Sequence, residues 1–418
     1  MLADDSRLYE AEATLLAGLV CAAALTLVVR AARRRAGLDL GTLVAVAFAV
    51  RFAVVIAQGL LGDVGETLRQ TDDPVSLAEA NVLASTPLGD ELWRDSIYGD
   101  FHLGFFGAQT WLLGGPGGTP LRVVQAALAV AGIAMLSLAV RRLANERAAL
   151  AAGWFLALEP SCVLFTTLLH KESLVVLGEG AFALGAAACW ARRDLRLAPV
   201  ALAGVGTVLL VRPYAGWFLA AAGALVLVHL LWSGIGPQRR RLPLAAAGVV
   251  IAVAAGGFAV ASGHPLETLQ SLQTSEPTVN DNLQLDPVDF TTVGGLAGGL
   301  PERVFDFLLR PFPWQAANLS QRLGVLGTLI AYGLYALLAY GLWTGGRKAV
   351  ARAAPFLWMA GVLTLCYALT TVNAGTGYRH RINLLVALAA AASTLLADRI
   401  PAARELPRKV GRRRAAPT

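Results

Sequence analysis

Long apolar stretches separated by short polar gaps recur along the whole chain of 418 residues. Eleven of them, most close to the roughly 20 apolar residues that cross a ~30 Å hydrocarbon core, lie at 12–30, 41–61, 119–140, 148–169, 173–191, 197–211, 214–233, 243–262, 323–345, 354–371 and 382–397. This pattern predicts an all-α polytopic membrane protein with about 11 transmembrane helices. The sixth stretch is short, so it forms either a span of its own or a broken pair with the seventh, meeting at Arg212 and Pro213.

The charged residues between these stretches are sorted by side. Clusters of Arg and Lys occupy every second gap and the tail, at 30–35, 141–147, 192–196, 239–241, 347–352 and 399–414. Because cytoplasmic loops of membrane proteins carry the excess of Lys and Arg, this pattern predicts an extracytoplasmic N-terminus and a cytoplasmic C-terminus. We expect residues 1–400 to form one transmembrane domain in a bacterial cell membrane, followed by a disordered basic cytoplasmic tail at 401–418.

The same orientation makes the two longest gaps, 62–118 and 263–322, outer loops. Basic charge then lies mostly on the inner face, so the net charge of +7 indicates contact with anionic lipid headgroups and no nucleic-acid partner. A hydrophobic content of 56% with 15% charged residues excludes an ordinary soluble protein. The four cysteines all fall in or at the ends of apolar stretches, which excludes a disulfide framework or a zinc-finger spacing.

Both outer loops contain short segments that predict helices lying on the membrane surface. Residues 75–85 have an amphipathic pattern, 101–114 are rich in Phe and Trp, and 301–314 combine Phe, Leu and Trp with two arginines. Aromatic side chains favour the interface between membrane and water. We therefore expect interfacial helices in both loops, close to the outer ends of the spans.

Basic side chains at those outer ends are the first candidates for chemistry. They form three groups in the sequence: His170 and Lys171, then Arg212, and last Arg379, His380 and Arg381. Positive charge is disfavoured on the outer face, whereas Arg offers a planar fork of donors and Lys a point charge to a phosphate. The groups predict an anion site, and the alternative is that each side chain snorkels from a helix end.

An acidic pair, Asp72 and Asp73, stands in the first outer loop just before Pro74. A carboxylate near the membrane surface can act as a general base or hold a divalent cation. The alternative is an ordinary helix start, because Asp caps a helix and Pro suits its first position.

The order and sidedness of these features resemble a known family. The residues that carry the likeness are Asp72-Asp73 with Ala80, the aromatic segment 101–114, the run from Arg122 through Pro160 to Lys171-Glu172, Arg212-Pro213-Tyr214, and Tyr378-Arg379-His380-Arg381. Together they resemble the GT-C superfamily of lipid-carrier-dependent glycosyltransferases, in the group related to protein O-mannosyltransferases and aminoarabinose transferases. Here the acidic loop follows the second span and not the first, and the acidic pair is Asp-Asp where the family usually has Asp-Glu.

The resemblance implies a GT-C-like helical bundle that moves a sugar from a polyprenyl-phosphate carrier to a glycan, lipid or protein acceptor, with inversion, on the extracytoplasmic face. It implies that Asp72 or Asp73 is the catalytic carboxylate. The donor phosphate would be bound by Lys171, Arg212, Arg379 and Arg381, with lesser parts for His170 and His380. Arg and Lys alone can hold a monophosphate donor, so we predict no cofactor, while the acidic pair leaves a divalent cation open.

Two other functional classes fit parts of the pattern. An oligosaccharide or O-antigen polymerase would also use outer-face arginines but would depend less on the first-loop aspartates. A transporter or flippase for a lipid-linked substrate would need a polar path across the membrane. Only Arg51 and Glu179 are strong candidates for such a path, and we expect them to form a buried ion pair instead.

Overall fold

A computed structural model describes residues 2–61, 72–113, 117–192, 195–234, 267, 270–271, 285, 288–316, 319–371 and 373–400. Within these residues the regular structure is helical, and no strand occurs. The α-helices are α1 (Leu2–Ala36), α2 (Gly41–Leu60), α3 (Asp72–Ser85), α4 (Glu91–Gly99), α5 (Phe101–Leu113), α6 (Gly118–Leu143), α7 (Glu146–Leu158), α8 (Pro160–Phe165), α9 (Glu172–Arg192), α10 (Ala198–Val211), α11 (Pro213–Gly234), α12 (Val293–Leu309), α13 (Leu319–Thr344), α14 (Gly346–Thr370) and α15 (Ala374–Leu395).

Seven helices in the described part of the chain are long and apolar enough to cross a membrane. They span Tyr9–Ala36, Gly41–Leu60, Gly118–Leu143, Glu172–Ala191, Pro213–Ser233, Gly324–Thr344 and Gly346–Thr370. The described part of the chain is therefore all-helical, and the protein is a multi-pass membrane protein, as predicted. The total of about eleven spans stays a prediction. The predicted span 243–262 and the basic tail 401–418 lie outside the described residues.

The outer-loop segments are helical where the sequence predicts it. The amphipathic segment lies in α3, the aromatic segment is α5, and the third segment divides between the end of α12 and a 3₁₀ turn at Pro313–Gln315. Their position on the membrane surface remains a prediction.

The structure corrects the predicted span 148–169, which is not one helix. The chain leaves α7 at Glu159, whose carboxylate caps α8 by accepting a hydrogen bond from Cys162 N at 2.5 Å, and Pro160 takes the first position of α8. Proline cannot donate a backbone hydrogen bond within a helix, so it favours a new helix start. The sequence signal of this break is the pair Glu159-Pro160 in the middle of the apolar run.

Arg51 on α2 stabilises the break and does not pair with Glu179. Its guanidinium, fully buried, donates to the carbonyl oxygens of Leu156 at 3.1 Å and Ala157 at 3.0 Å, and to Thr166 Oγ1 at 3.0 Å. These carbonyls belong to the last turn of α7, where no backbone N–H of the helix can donate to them. The carboxylate oxygens of Glu179 have no hydrogen-bond partner among the described residues. The expected ion pair is therefore wrong, because the broken helix supplies Arg51 with backbone acceptors.

Two helix starts also differ from the predicted boundaries. Helix α14 begins at Gly346, ahead of the predicted residue 354, so the basic cluster 347–352 lies in its first turns. Helix α15 begins at Ala374, where Asn373 caps it by accepting a hydrogen bond from Thr376 N at 2.7 Å. Arg379, His380 and Arg381 therefore lie within α15 and not before it.

Glycines allow α9 to pack directly on α6 and α10. A Cβ atom on Gly180 would lie 2.3 Å from the Gly132 carbonyl oxygen of α6, and a Cβ on Gly204 of α10 would lie 2.4 Å from that of Gly178. No larger residue fits at such backbone contacts, which are typical of helix packing in membranes. The close packing fixes the position of the first turn of α9.

The helix ends define two ends of the bundle. At one end, which we call the Thr119 end, Glu10 near the start of α1 accepts a hydrogen bond from Thr119 Oγ1 at 2.7 Å. At the other, the Asn145 end, Asn145 Nδ2 donates to the Ala397 carbonyl at 2.8 Å and Arg352 pairs with Asp398 at 2.6 Å. The starts of α1 and α6 thus share one end, in agreement with the predicted order of spans.

Cysteine labelling tests which end faces outward. We expect Leu88→Cys, an exposed position in the turn before α4, to react with a membrane-impermeant maleimide in intact cells. Lys348→Cys, exposed at the start of α14, should react only after the cells are permeabilised. The four native cysteines are buried, so the parent protein serves as the unlabelled control. The opposite pattern of labelling would reverse the predicted orientation.

Candidate functional site

A cavity of about 310 Å³ lies at the Thr119 end of the bundle. It is lined by Val75, Ser76, His102, Leu169, His170, Lys171, Glu172, Arg212 and Arg379. These residues come from α3, α5, the start of α9, the junction of α10 and α11, and the first turns of α15. Five separate parts of the chain thus meet around one small polar space.

The carboxylate of Glu172 joins the two arginines that line this cavity. Its Oε1 accepts a hydrogen bond from Arg212 Nη2 at 2.8 Å, and Arg379 Nε lies 3.4 Å from the same oxygen. Glu172 and Arg212 are both buried. Glu172 Oε2 and Arg212 Nη1 have no hydrogen-bond partner in the described part of the chain. A buried polar atom of this kind costs free energy unless a bound group or water satisfies it.

The backbone places Arg212 by a sharp reversal. Helix α10 ends at Val211, Pro213 opens α11, and Gly216 packs so tightly on Leu209 that a Cβ would lie 2.5 Å from the Leu209 Cα. The 14 residues of α10 and the 22 residues of α11 thus form two separate helices that fold back on each other at Arg212. The turn between them places the Arg212 side chain in the lining of the cavity.

A second group of charged side chains surrounds the N-terminus of α5. Asp100 lies directly before α5, and its carboxylate is hydrogen bonded to Nδ1 of His102 and lies 3.4 Å from Lys171 Nζ. Burial alone would raise the pKa of Asp100, but the hydrogen bond from His102 and the charge of Lys171 lower it overall. The Asp100 carboxylate is therefore ionised and joins α5 to the start of α9.

Asp100 and His102 are absent from the candidates derived from the sequence. The only local signal is the spacing Asp100-Phe101-His102 at the start of the aromatic segment. That spacing equally fits a helix cap, because Asp commonly precedes a helix.

Asp73 of the predicted acidic pair lies behind the cavity, fully buried. Its carboxylate is paired with the guanidinium of Arg122 on α6 and accepts a hydrogen bond from Leu169 N at 2.6 Å. It thus ties α3 to α6 and to the turn before α9, and it does not line the cavity. Asp72 opens α3, and its side chain is outside the described part of the structure.

The predicted basic residues divide into two sets. His170, Lys171, Arg212 and Arg379 line the cavity together. Arg381 instead donates to the carbonyl oxygen of Phe307 at 2.7 Å and to Thr328 Oγ1 at 2.7 Å, which ties α15 to α12 and α13.

His380 does not line the cavity either. Its ring packs between those of Tyr214, with centroids 6.4 Å apart, and Tyr367, at 5.0 Å. Consecutive residues of a helix point in directions about 100° apart, so Arg379, His380 and Arg381 cannot all face one cavity.

A metal at the acidic pair stays a prediction. Among the described residues no cluster of three His, Cys, Asp or Glu side chains is arranged to hold a metal ion. The side chain of Asp72 is outside that set.

The pairing of Asp73 with Arg122 predicts a structural role. Asp73→Asn leaves the buried Arg122 charge unpaired, which costs about 3–5 kcal/mol in such pairs. We expect a lower thermal unfolding midpoint in detergent, partly restored in the double variant Asp73→Asn/Arg122→Gln. Glu79→Gln, on the exposed side of α3, is the control. An Asp73→Asn protein that unfolds at the parental temperature would contradict this role.

Comparison of the chain with protein-family models, with curated proteins and with solved structures gives no match. Function is therefore inferred from the geometry of the cavity and from the pattern of the sequence.

Proposed function

We propose that the protein is a membrane glycosyltransferase that moves a sugar from a polyprenyl-phosphate carrier to an acceptor on the extracytoplasmic face, with inversion. The observation that carries this proposal is the convergence of Lys171, Arg212 and Arg379 on one cavity at the end of a bundle of apolar helices. The transfer chemistry itself follows from the resemblance of the sequence to GT-C glycosyltransferases.

The charges of the cavity favour an anionic ligand. Its lining carries one Lys and two Arg side chains against one carboxylate, Glu172, and Asp100 beside the lining pairs with Lys171, so one positive charge is in excess. Arg212 shares one of its two terminal nitrogens with that carboxylate, and the other, Nη1, has no partner among the described residues. Arg presents donors in a planar fork that matches phosphate oxygens. A phosphate would therefore gain charged hydrogen bonds that the protein leaves unmade.

The size and position of the cavity suit the head of a lipid-linked sugar. Its volume of about 310 Å³ falls at the lower end of the ~300–1,000 Å³ typical of small-molecule pockets. Long apolar helices lead away from it, so the polyprenyl chain can lie between them in the hydrocarbon region while the phosphate stays at the surface.

The proposed reaction is a direct displacement at the anomeric carbon. The oxygen of an acceptor hydroxyl attacks the carbon on the face opposite the phosphate, and the bond between carbon and phosphate oxygen breaks. The electron pair of that bond leaves with the polyprenyl phosphate, where the cations of the cavity stabilise the charge. A base from the first outer loop accepts the proton of the acceptor hydroxyl.

Replacing a cavity cation tests the proposal. Arg379→Gln removes a charged hydrogen bond to the donor phosphate, worth ~1.5–3 kcal/mol, so we expect the affinity for polyprenyl phosphate to fall about tenfold to a hundredfold. Transfer from radiolabelled polyprenyl-phosphate sugars should fall with it. Both are measured on full-length protein in nanodiscs. Arg379 is preferable to Arg212, because Arg212 is more deeply buried and makes the shorter contact with Glu172, at 2.8 Å against 3.4 Å.

Arg322→Gln is the matched control. It removes one positive charge at the same end of the bundle, from an exposed position on α13 that does not line the cavity. Equal affinity of the Arg379→Gln and parent proteins would contradict the phosphate site. Binding without any transfer, across a panel of donors and acceptors, would favour a flippase or transporter instead.

A further inference from the structure

We propose that His102, held by Asp100, is the general base that removes the proton of the acceptor hydroxyl. This inference rests on the proposed function, because it assigns the proton acceptor of that reaction. It names a histidine where the sequence resemblance implies an aspartate.

The location of His102 fits this role. It lies on the first turn of α5 and lines the same cavity as Lys171, Arg212 and Arg379. The residue is largely buried, with 7% exposure. An acceptor that enters the cavity would therefore meet this imidazole in the space where the cations would bind the donor phosphate.

The contacts of the imidazole fix its tautomer and orientation. Asp100 is an ionised carboxylate and can only accept, so Nδ1 of His102 carries the proton of the hydrogen bond between them. The other nitrogen, Nε2, then has the free electron pair that a general base needs. The edge of the ring packs on Phe106, with centroids 5.8 Å apart and planes at 86°. A carboxylate that orients a histidine in this way also stabilises the imidazolium that forms.

Lys171 holds Asp100, the residue that orients His102. Its Nζ lies 3.4 Å from Asp100 Oδ1, the oxygen that also bonds His102. Lys171 thus links the proposed base to the cationic side of the cavity.

The other buried carboxylates near the cavity are already engaged. Asp73 is paired with Arg122 and with the amide of Leu169. Glu172 is held between Arg212 and Arg379. Ion pairing stabilises the deprotonated form and makes a carboxylate a weaker base. His102 has no such competing cation bonded to Nε2 within the described structure.

The proton balance of the step is simple. The acceptor oxygen forms a bond to the anomeric carbon as its proton passes to Nε2 of His102. The carbon–oxygen bond to the phosphate breaks, and polyprenyl phosphate leaves with the electron pair. The imidazolium, paired with Asp100, then loses its proton to water after the products leave.

The test uses full-length protein in nanodiscs with the radiolabelled polyprenyl-phosphate sugar that the parent uses. His102→Ala should lower kcat about 10²–10⁴-fold, the range typical of general-base catalysis, with the donor KM and the affinity for polyprenyl phosphate unchanged. Added imidazole should restore part of the activity by entering the space that the side chain leaves. Asp100→Asn should also lower kcat with little change in the donor KM, as expected of a positioning residue.

Two further variants separate chemistry from folding. His102→Gln keeps a hydrogen-bonding side chain beside Asp100 but cannot accept a proton, so it should bind polyprenyl phosphate normally and stay inactive. His229→Ala removes a histidine at the Asn145 end, where its ring accepts a hydrogen bond from Trp358, and should keep parental activity.

The outcomes distinguish this inference from the function on which it rests. Parental kcat in His102→Ala or His102→Gln overturns the role of His102 alone. A loss of kcat that imidazole does not restore, together with an inactive Asp72→Asn protein, assigns the base to Asp72 and also overturns it. Absence of transfer by the parent protein with every donor overturns the proposed function, and the role of His102 with it.

Discussion

The buried carboxylate of Glu172, shared by Arg212 and Arg379, is the interaction on which the candidate site depends. Charges removed from water cost several kcal/mol each unless they are paired. The two arginines belong to different parts of the chain, so satisfying Glu172 requires the start of α9, the turn after α10 and the first turns of α15 to meet. Glu172 also lies in the first turn of α9, where the helix dipole favours a negative charge.

The surrounding structure holds this arrangement in place. Glycine contacts lock α9 against α6 and α10, and the ion pair of Asp73 with Arg122 holds the turn before α9 through the amide of Leu169. On the far side, Arg381 ties α15 to α12 by bonding the Phe307 carbonyl. The cavity is thus bordered by paired charges, while Arg212 Nη1 and Glu172 Oε2 lack partners among the described residues. Such unmade bonds at a preformed cavity are expected where a polar ligand binds.

The sequence predicts that the protein lies in a membrane and that basic residues gather at one end of it. It does not predict which side chains contact each other. Sidedness follows from the alternation of charge with apolar spans, which is why Lys171, Arg212 and Arg379 could be assigned to one end. Which face of α15 each basic residue occupies depends on the residue at which the helix begins. The apolar pattern places this start at 382, whereas α15 begins at Ala374. The partners of Asp73 and Arg51 are distant in the chain, so their pairing follows only from packing. Asp100 and His102 carried no signal stronger than that of a helix cap.

The most direct test of the account is a cryo-electron microscopy structure of the full-length protein in nanodiscs with bound polyprenyl phosphate. We expect a phosphate within hydrogen-bond distance, about 2.7–3.2 Å, of Arg212 and Arg379. The prenyl chain should run from there between the apolar helices. A phosphate bound elsewhere on the bundle, with the cavity between Glu172, Arg212 and Arg379 filled only by water, would contradict it.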